Sequence, residues 1–137
     1  MNKLQLIKKV TYNTIKDIFD DDDIPVFLNT APLDEDGNLI SLPVVIIHRQ
    51  SVKFTDRLVT MDATRVEVNW GISCIGKTSE FCDDMTDKIL TTLGNNIIDD
   101  SELGRICSYV DSIHDSLTMA KDFSQIDINV RQVLASI

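Results

Sequence analysis

The chain has 137 residues, 43% apolar and 26% charged, with a formal net charge of −9. This is ordinary composition for one globular domain spanning 1–137, long enough to build a core without disulfide or metal staples. The charge works against gripping nucleic acid or an anionic membrane, both of which need Lys and Arg against phosphate. No apolar run approaches the about 20 residues of a membrane span.

The first residues interleave Lys3, Lys8 and Lys9 with Leu4, Leu6 and Ile7. That pattern lacks the continuous apolar stretch of a secretion signal and implies synthesis in a cytoplasm. Leu4, Ile7, Val10, Ile15 and Ile18 recur near helical spacing and predict a helix over 3–19. The run Asp20 to Asp23 follows. Its carboxylates oppose the helix macrodipole and should end the helix. Val26 to Leu28 then reads as a short extended piece, and 29–42, with Pro32, Asp34, Asp36 and Gly37, as a loop.

Pro43 to Ile47 is a β-branched run and predicts a strand covered on both faces. Residues 51–62 mix Phe54, Leu58, Val59 and Met61 with Lys53, Asp56 and Arg57, and read as a projecting hairpin loop. The clearest strand is 64–75. There Val66, Val68, Trp70, Ile72 and Cys74 alternate with Glu67, Asn69, Gly71 and Ser73. Thr78 is the expected N-cap of a second helix at about 79–93, with Phe81, Cys82, Met85, Ile89 and Leu93 as its apolar stripe. Gly94 stands where a left-handed cap is expected. Residues 95–104 show no clear pattern. Arg105 to Ile113 and Ser124 to Leu134 predict two further strands joined by a polar connection over 114–123. Sequential strands with short connections predict an α+β fold: a mainly antiparallel or mixed β-sheet with two helices packed on one face. The expected core is Leu4, Ile7, Val45, Ile47, Val68, Trp70, Ile72, Phe81, Met85, Ile89, Ile126 and Ile128.

Residues that could carry chemistry are few. Asp20 to Asp23 offer oxygen ligands, but the alternating acids, central glycine and distant glutamate of a calcium loop are absent. His48 and His114 with Cys74, Cys82 and Cys107 show no zinc-like local spacing. Cys74 and Cys82 fall on predicted buried faces, where cysteine acts as a small hydrophobe. None of the five glycines belongs to a phosphate-cradling motif. The sequence therefore predicts no enzyme, no cofactor and no metal.

The order of these elements resembles the tail terminator proteins of tailed bacteriophages, of which phage lambda has the familiar example. The likeness rests on four features: the helix Leu4 to Phe19 leading into Pro25, Val26 and Phe27; the strand Leu42 to Ile46 with its proline; the alternating strand Arg65 to Trp70 running into the helix Ser79 to Leu93; and the closing strand Gln125 to Leu134. They cover nearly the whole chain, as order and spacing rather than as a specific motif. The resemblance implies a virion protein of the tail or neck, assembled in the host cytoplasm. It implies a homohexameric ring that caps the tail tube protein and meets the head–tail connector or neck protein. Such a ring makes no sequence-specific contact with nucleic acid, although DNA can pass through its lumen, and it meets no membrane. It brings no catalytic residues. Apolar residues in a polar loop mark an interaction surface, so Phe54, Asp56, Arg57, Leu58 and Met61 are the expected partner-binding residues. The alternatives are a head-completion protein at the connector or, in another class, a small cytoplasmic enzyme or ligand-binding domain using Cys107, His48 or His114.

Overall fold

The computed structural model describes residues 2–39, 42–55, 65–94, 96–116 and 123–134. The first helix, α1, spans Lys3–Phe19. It opens on a capping box: the Gln5 backbone N–H donates to Asn2 Oδ1 at 2.8 Å, and the Asn2 N–H donates to Gln5 Oε1 at 3.1 Å. Its buried face is Ile7, Thr11, Ile15 and Phe19, one residue per turn. The expected stripe was rotated from this. Leu4, Val10 and Ile18 are half-buried shoulders, so Leu4 leaves the core list. The polar Thr11 hid the true centre line. The helix ends where its carboxylates begin: Asp20–Asp22 tighten into a 3-10 turn, and Asp23 takes a left-handed φ of 53°.

Strand β1 is Val26–Leu28, β2 Val44–Thr55 and β3 Arg65–Gly76. Helix α2 follows at Ser79–Leu93, then β4 at Asn96–Asp100, β5 at Gly104–Asp115 and β6 at Ser124–Leu134. The six strands form one sheet in the order β1-β2-β3-β6-β5-β4. Only β1 and β2 are parallel. The fold is α+β, and both helices contribute to one apolar cluster with a single face of the sheet. On that face lie Val45 and Ile47 of β2, Val66 to Cys74 in alternation on β3, Ile106 of β5, and Ile126 to Leu134 in alternation on β6.

Three expectations change. First, 51–55 is strand rather than loop: β2 stays paired with β3 as far as Thr55 opposite Arg65. A bulge between Arg49 and Ser51 resets the alternation, so Ile47 and Val52 face the same side five residues apart and the period is lost to a reader. Second, Gly94 is extended, with φ −64° and ψ 109°. Its N–H bonds Leu90 O at 2.8 Å, and the chain passes almost directly into β4. Third, β4 itself has no sequence signal. It is a five-residue edge strand with two acids, and its turn into β5 is built by Asp100, whose carboxylate accepts the Glu102 and Leu103 N–H groups, both at 2.9 Å. Gly104, at φ 77°, completes that turn.

Helix α2 has its expected cap, Thr78 Oγ1 accepting the Phe81 N–H at 3.2 Å. Its buried face is Cys82, Met85, Thr86, Ile89 and Leu93. Phe81 is 41% exposed and does not belong to the core. Among the described residues, four polar ones are buried: Thr11, Thr86, Ser108 and Gln132. Three of them form one network with Trp70. Gln132 Oε1 accepts the Trp70 indole N–H at 2.7 Å and the Thr11 hydroxyl at 3.0 Å, while Gln132 Nε2 donates to Ser108 Oγ at 3.4 Å.

Candidate functional site

No described helix packs on the second face of the sheet. Strand alternation and register place there His48, Ser51 and Lys53 of β2, with Glu67, Asn69, Gly71 and Ser73 of β3. Asp127, Asn129 and Arg131 of β6 join them, with Tyr109, Ser112 and His114 of β5. These residues make a polar surface that spans four strands.

Its side chains are bonded to one another, both across and along strands. Asp127 accepts from Ser73 Oγ at 2.7 Å, Ser116 Oγ at 2.6 Å and Gln125 Nε2 at 2.9 Å. Partial burial opposes the charged carboxylate, but the Ser116, Gln125 and Ser73 hydrogen bonds outweigh it. With a smaller contribution from His48, they hold its pKa below the ordinary value of 3.8. Asn129 Nδ2 donates to Ser112 Oγ at 2.9 Å, and Asn69 Nδ2 to Ser51 Oγ at 3.0 Å. Arg131 lies between Glu67 at 3.8 Å and Asp111 at 3.5 Å, with its guanidinium 5.1 Å from the Tyr109 ring centre. Gly71 makes room in the middle of this face. A Cβ there would meet His48 Cε1 at 2.4 Å and Gln50 Nε2 at 2.9 Å, so both side chains lie over the glycine. The surface is thus a pre-ordered lattice of mixed charge, of the kind that suits a wet interface or a channel wall.

Of the residues weighed for chemistry, Cys74 and Cys82 lie near each other, and His48 lies near Asp127 on the second face. Cys74 and Cys82 are buried in the core. Burial pushes the Cys74 thiol up to about 12, far from a thiolate at neutral pH. Burial also raises Cys82, whose Sγ donates to Ser124 O at 3.1 Å. Cys107 and His114 share β5, but seven residues of strand separate them by about 20 Å. His114 Nε2 instead meets Ser112 Oγ at 3.0 Å. Among the described residues, no group of three or more His, Cys, Asp or Glu is placed to hold a metal ion. No described helix is long and apolar enough to cross a membrane.

Of the residues expected to bind a partner, Phe54 lies at the end of β2 and is 66% exposed. Asp56, Arg57, Leu58 and Met61 lie outside the described residues. The sequence reading missed the cross-strand lattice because it depends on register. The alternation of Glu67, Asn69 and Ser73 with Val66 to Cys74 was the available signal, and it marks a face without saying which side chains meet.

A fold with these strands and helices occurs in a virion. A chain of the virion of a native gene transfer agent particle superposes with a TM-score of 0.65. The match covers 88% of this chain and 83% of that one at 11% sequence identity, which is a likeness of fold. No family model and no curated protein matches the sequence.

Proposed function

We propose that this protein is a virion structural protein, a tail terminator. In this reading it forms a six-fold ring that caps the tail tube and presents the surface joining the tube to the head connector. The observation that carries the proposal is the second sheet face. The fold spends both helices on one side and leaves the other as an ordered polar lattice with no catalytic grouping among the described residues. The likeness of fold to a gene transfer agent virion chain supports the virion part of this reading. So does the element order from α1 to the closing strand β6.

The mechanism is interfacial. A ring seated on the last tube ring covers its unpaired edges and stops further addition. Complementary faces select the tube on one side and the connector on the other. The net charge of −9 keeps DNA from adhering if it passes through the lumen. The test is loss of the protein from an assembling system. Tails should then grow beyond their normal length and fail to join heads. Tails of normal length would refute the capping role.

A further inference from the structure

Both edges of the sheet are stepped. β1 covers β2 only from Val45 to Ile47, and β4 covers β5 only from Asn96 opposite Ser108 to Asp100 opposite Gly104. Among the described residues, no strand pairs with the outer side of β2 over 48–55 or of β5 over 109–115. The β1 step is blunted: Tyr12 Oη donates to Val26 O at 3.1 Å, and the Thr30 N–H donates to Leu28 O at 2.8 Å. The two longer stretches carry no such cap among the described residues. On β2, Ile47 O turns outward to the Asn29 N–H, and past the bulge the alternation turns the N–H and C=O of Val52 and Phe54 the same way. On β5, the Ser116 N–H points inward to Gln125 O, so Ile113 and Asp115 turn their groups outward. Unpaired edges of this length are templates for another strand.

The side chains of the two stretches match. Val52 and Phe54 stand opposite Val68 and Val66, and Val110 and Ile113 opposite Val130 and Ile128, so all four lie on the face that carries the helices. Phe54 is 66% exposed and Ile113 43%. Lys53 stands on the other face, opposite Glu67, whose carboxylate lies 3.8 Å from Arg131. Asp111 reaches that same face, 3.5 Å from the same arginine. Over 48–55 the chain carries Arg49 and Lys53 and no acid, and over 109–115 it carries Asp111 and Asp115 and no Lys or Arg. Arg49 is engaged with Leu4 O at 3.3 Å, which leaves the exposed Lys53 as the cation of its edge. β3 and β6 stand between the two stretches, so one chain cannot join its own edges.

We infer that two copies of this chain pair edge to edge, the outer side of β2 in one subunit joined to the outer side of β5 in the next. Strand direction alternates from β2 through β3 and β6 to β5. Continuing the sheet with all helices on one side therefore makes the new pair antiparallel. Val52 and Phe54 then lie beside Val110 and Ile113 on the helix face, and Lys53 lies beside Asp111 on the polar face. Pairing β5 with β5 would instead bring two acidic stretches together, which opposes a two-fold dimer. Ile113, Ile128, Ile72 and Ile47 share one row of the sheet. Seating Val52 beside Ile113 thus staggers neighbouring subunits by about 13 Å along the strands. The stagger carries β4 past the Thr55 end of the neighbouring β2 and carries the neighbour's β1 past Asp115, so neither step blocks the joint. Tilted strands need a stagger of this kind to close. The contact is heterologous, the type that generates rings or open chains, and it makes the polar second face continuous from subunit to subunit. This deepens the ring proposed above and rests on it for the number of subunits, but not for the contact itself.

The experiment replaces Phe54 by photoreactive p-benzoylphenylalanine in the full chain and illuminates the purified protein over a rising concentration series. Peptide mass spectrometry should place the intermolecular adduct within 109–115. Adducts confined to other segments, or none at the highest concentration, would overturn the contact. Amide exchange in the unsubstituted chain should slow at Phe54 and Ile113 as concentration rises, and rates that stay constant would also overturn it. In sedimentation at fixed salt, Lys53→Glu and Asp111→Lys should each weaken association about tenfold, and combining both in one chain should recover most of the loss. A combined variant as weak as the two losses multiplied together would contradict the pairing of these edges. The ring reading fails separately. Adducts within 109–115 together with virion density of another symmetry would keep the contact and remove the hexamer. Six-fold density with adducts elsewhere would do the reverse.

Discussion

Gln132 on β6 accepts the indole N–H of Trp70 on β3 at 2.7 Å, and both side chains are completely buried. The same Gln132 oxygen takes the Thr11 hydroxyl of α1, so one amide ties the first helix to the middle of the sheet. Gln132→Leu keeps the approximate volume but leaves the indole and the hydroxyl without an acceptor. It should cost about 1–3 kcal/mol for each stranded group, read as a lower denaturation midpoint with an unchanged m-value. Combining it with Thr11→Val should cost less than the two single changes added together.

Trp70→Ala should cost about 3–5 kcal/mol, since it empties the largest fully buried side chain. Within α2 the contrast is sharper. Met85, at 1% exposure, should cost about 2–5 kcal/mol on truncation to alanine. Phe81, at 41%, should cost no more than about 1 kcal/mol in the isolated subunit. Equal losses at the two positions in a thermal melt would mean that the helix is rotated from its described face.

These two helices also show what a sequence can reveal. Both sets of bounds were legible, because apolar spacing, Thr78 and the Asp20 to Asp23 run mark where helices begin and end. Their rotation was less so. Thr11 and Thr86 sit at the centre of the buried faces, and a threonine is legible as core only when its partner is known. The β3 face was legible from strict alternation. Residues 51–55 were not, because the bulge at Gln50 shifts phase inside a polar stretch. The polar lattice around Asp127 was not legible at all. Ser73 and Ser116 become its partners only through register and the approach of the strand ends, whereas Gln125 stands two residues away on the same strand.

Asp127 carries a pH dependence of known sign. Its folded pKa lies below the ordinary 3.8, so its contribution to stability is fully present above that value and is lost as pH falls through the folded pKa. Asp127→Asn should therefore be less stable than the parent chain near neutral pH, and the gap should close in acid. A gap that widens below pH 3.8 would contradict the hydrogen bonds from Ser116, Gln125 and Ser73.

The β2–β3 ribbon is fully paired up to Thr55 and Arg65. Shortening the 56–64 connection to a tight turn should leave the melting temperature of the isolated chain unchanged. It should abolish capping, seen as overlong tails, because Arg57, Leu58 and Met61 are proposed to contact a partner. A shortened chain that fails to fold would assign those residues to the core instead.

The most direct test is imaging of assembled particles at a resolution that identifies this chain. A six-fold ring should stand at the head-proximal end of the tail tube, between the last tube ring and the connector. Density for this chain with any other symmetry, or its absence from the particle, would contradict the tail terminator reading.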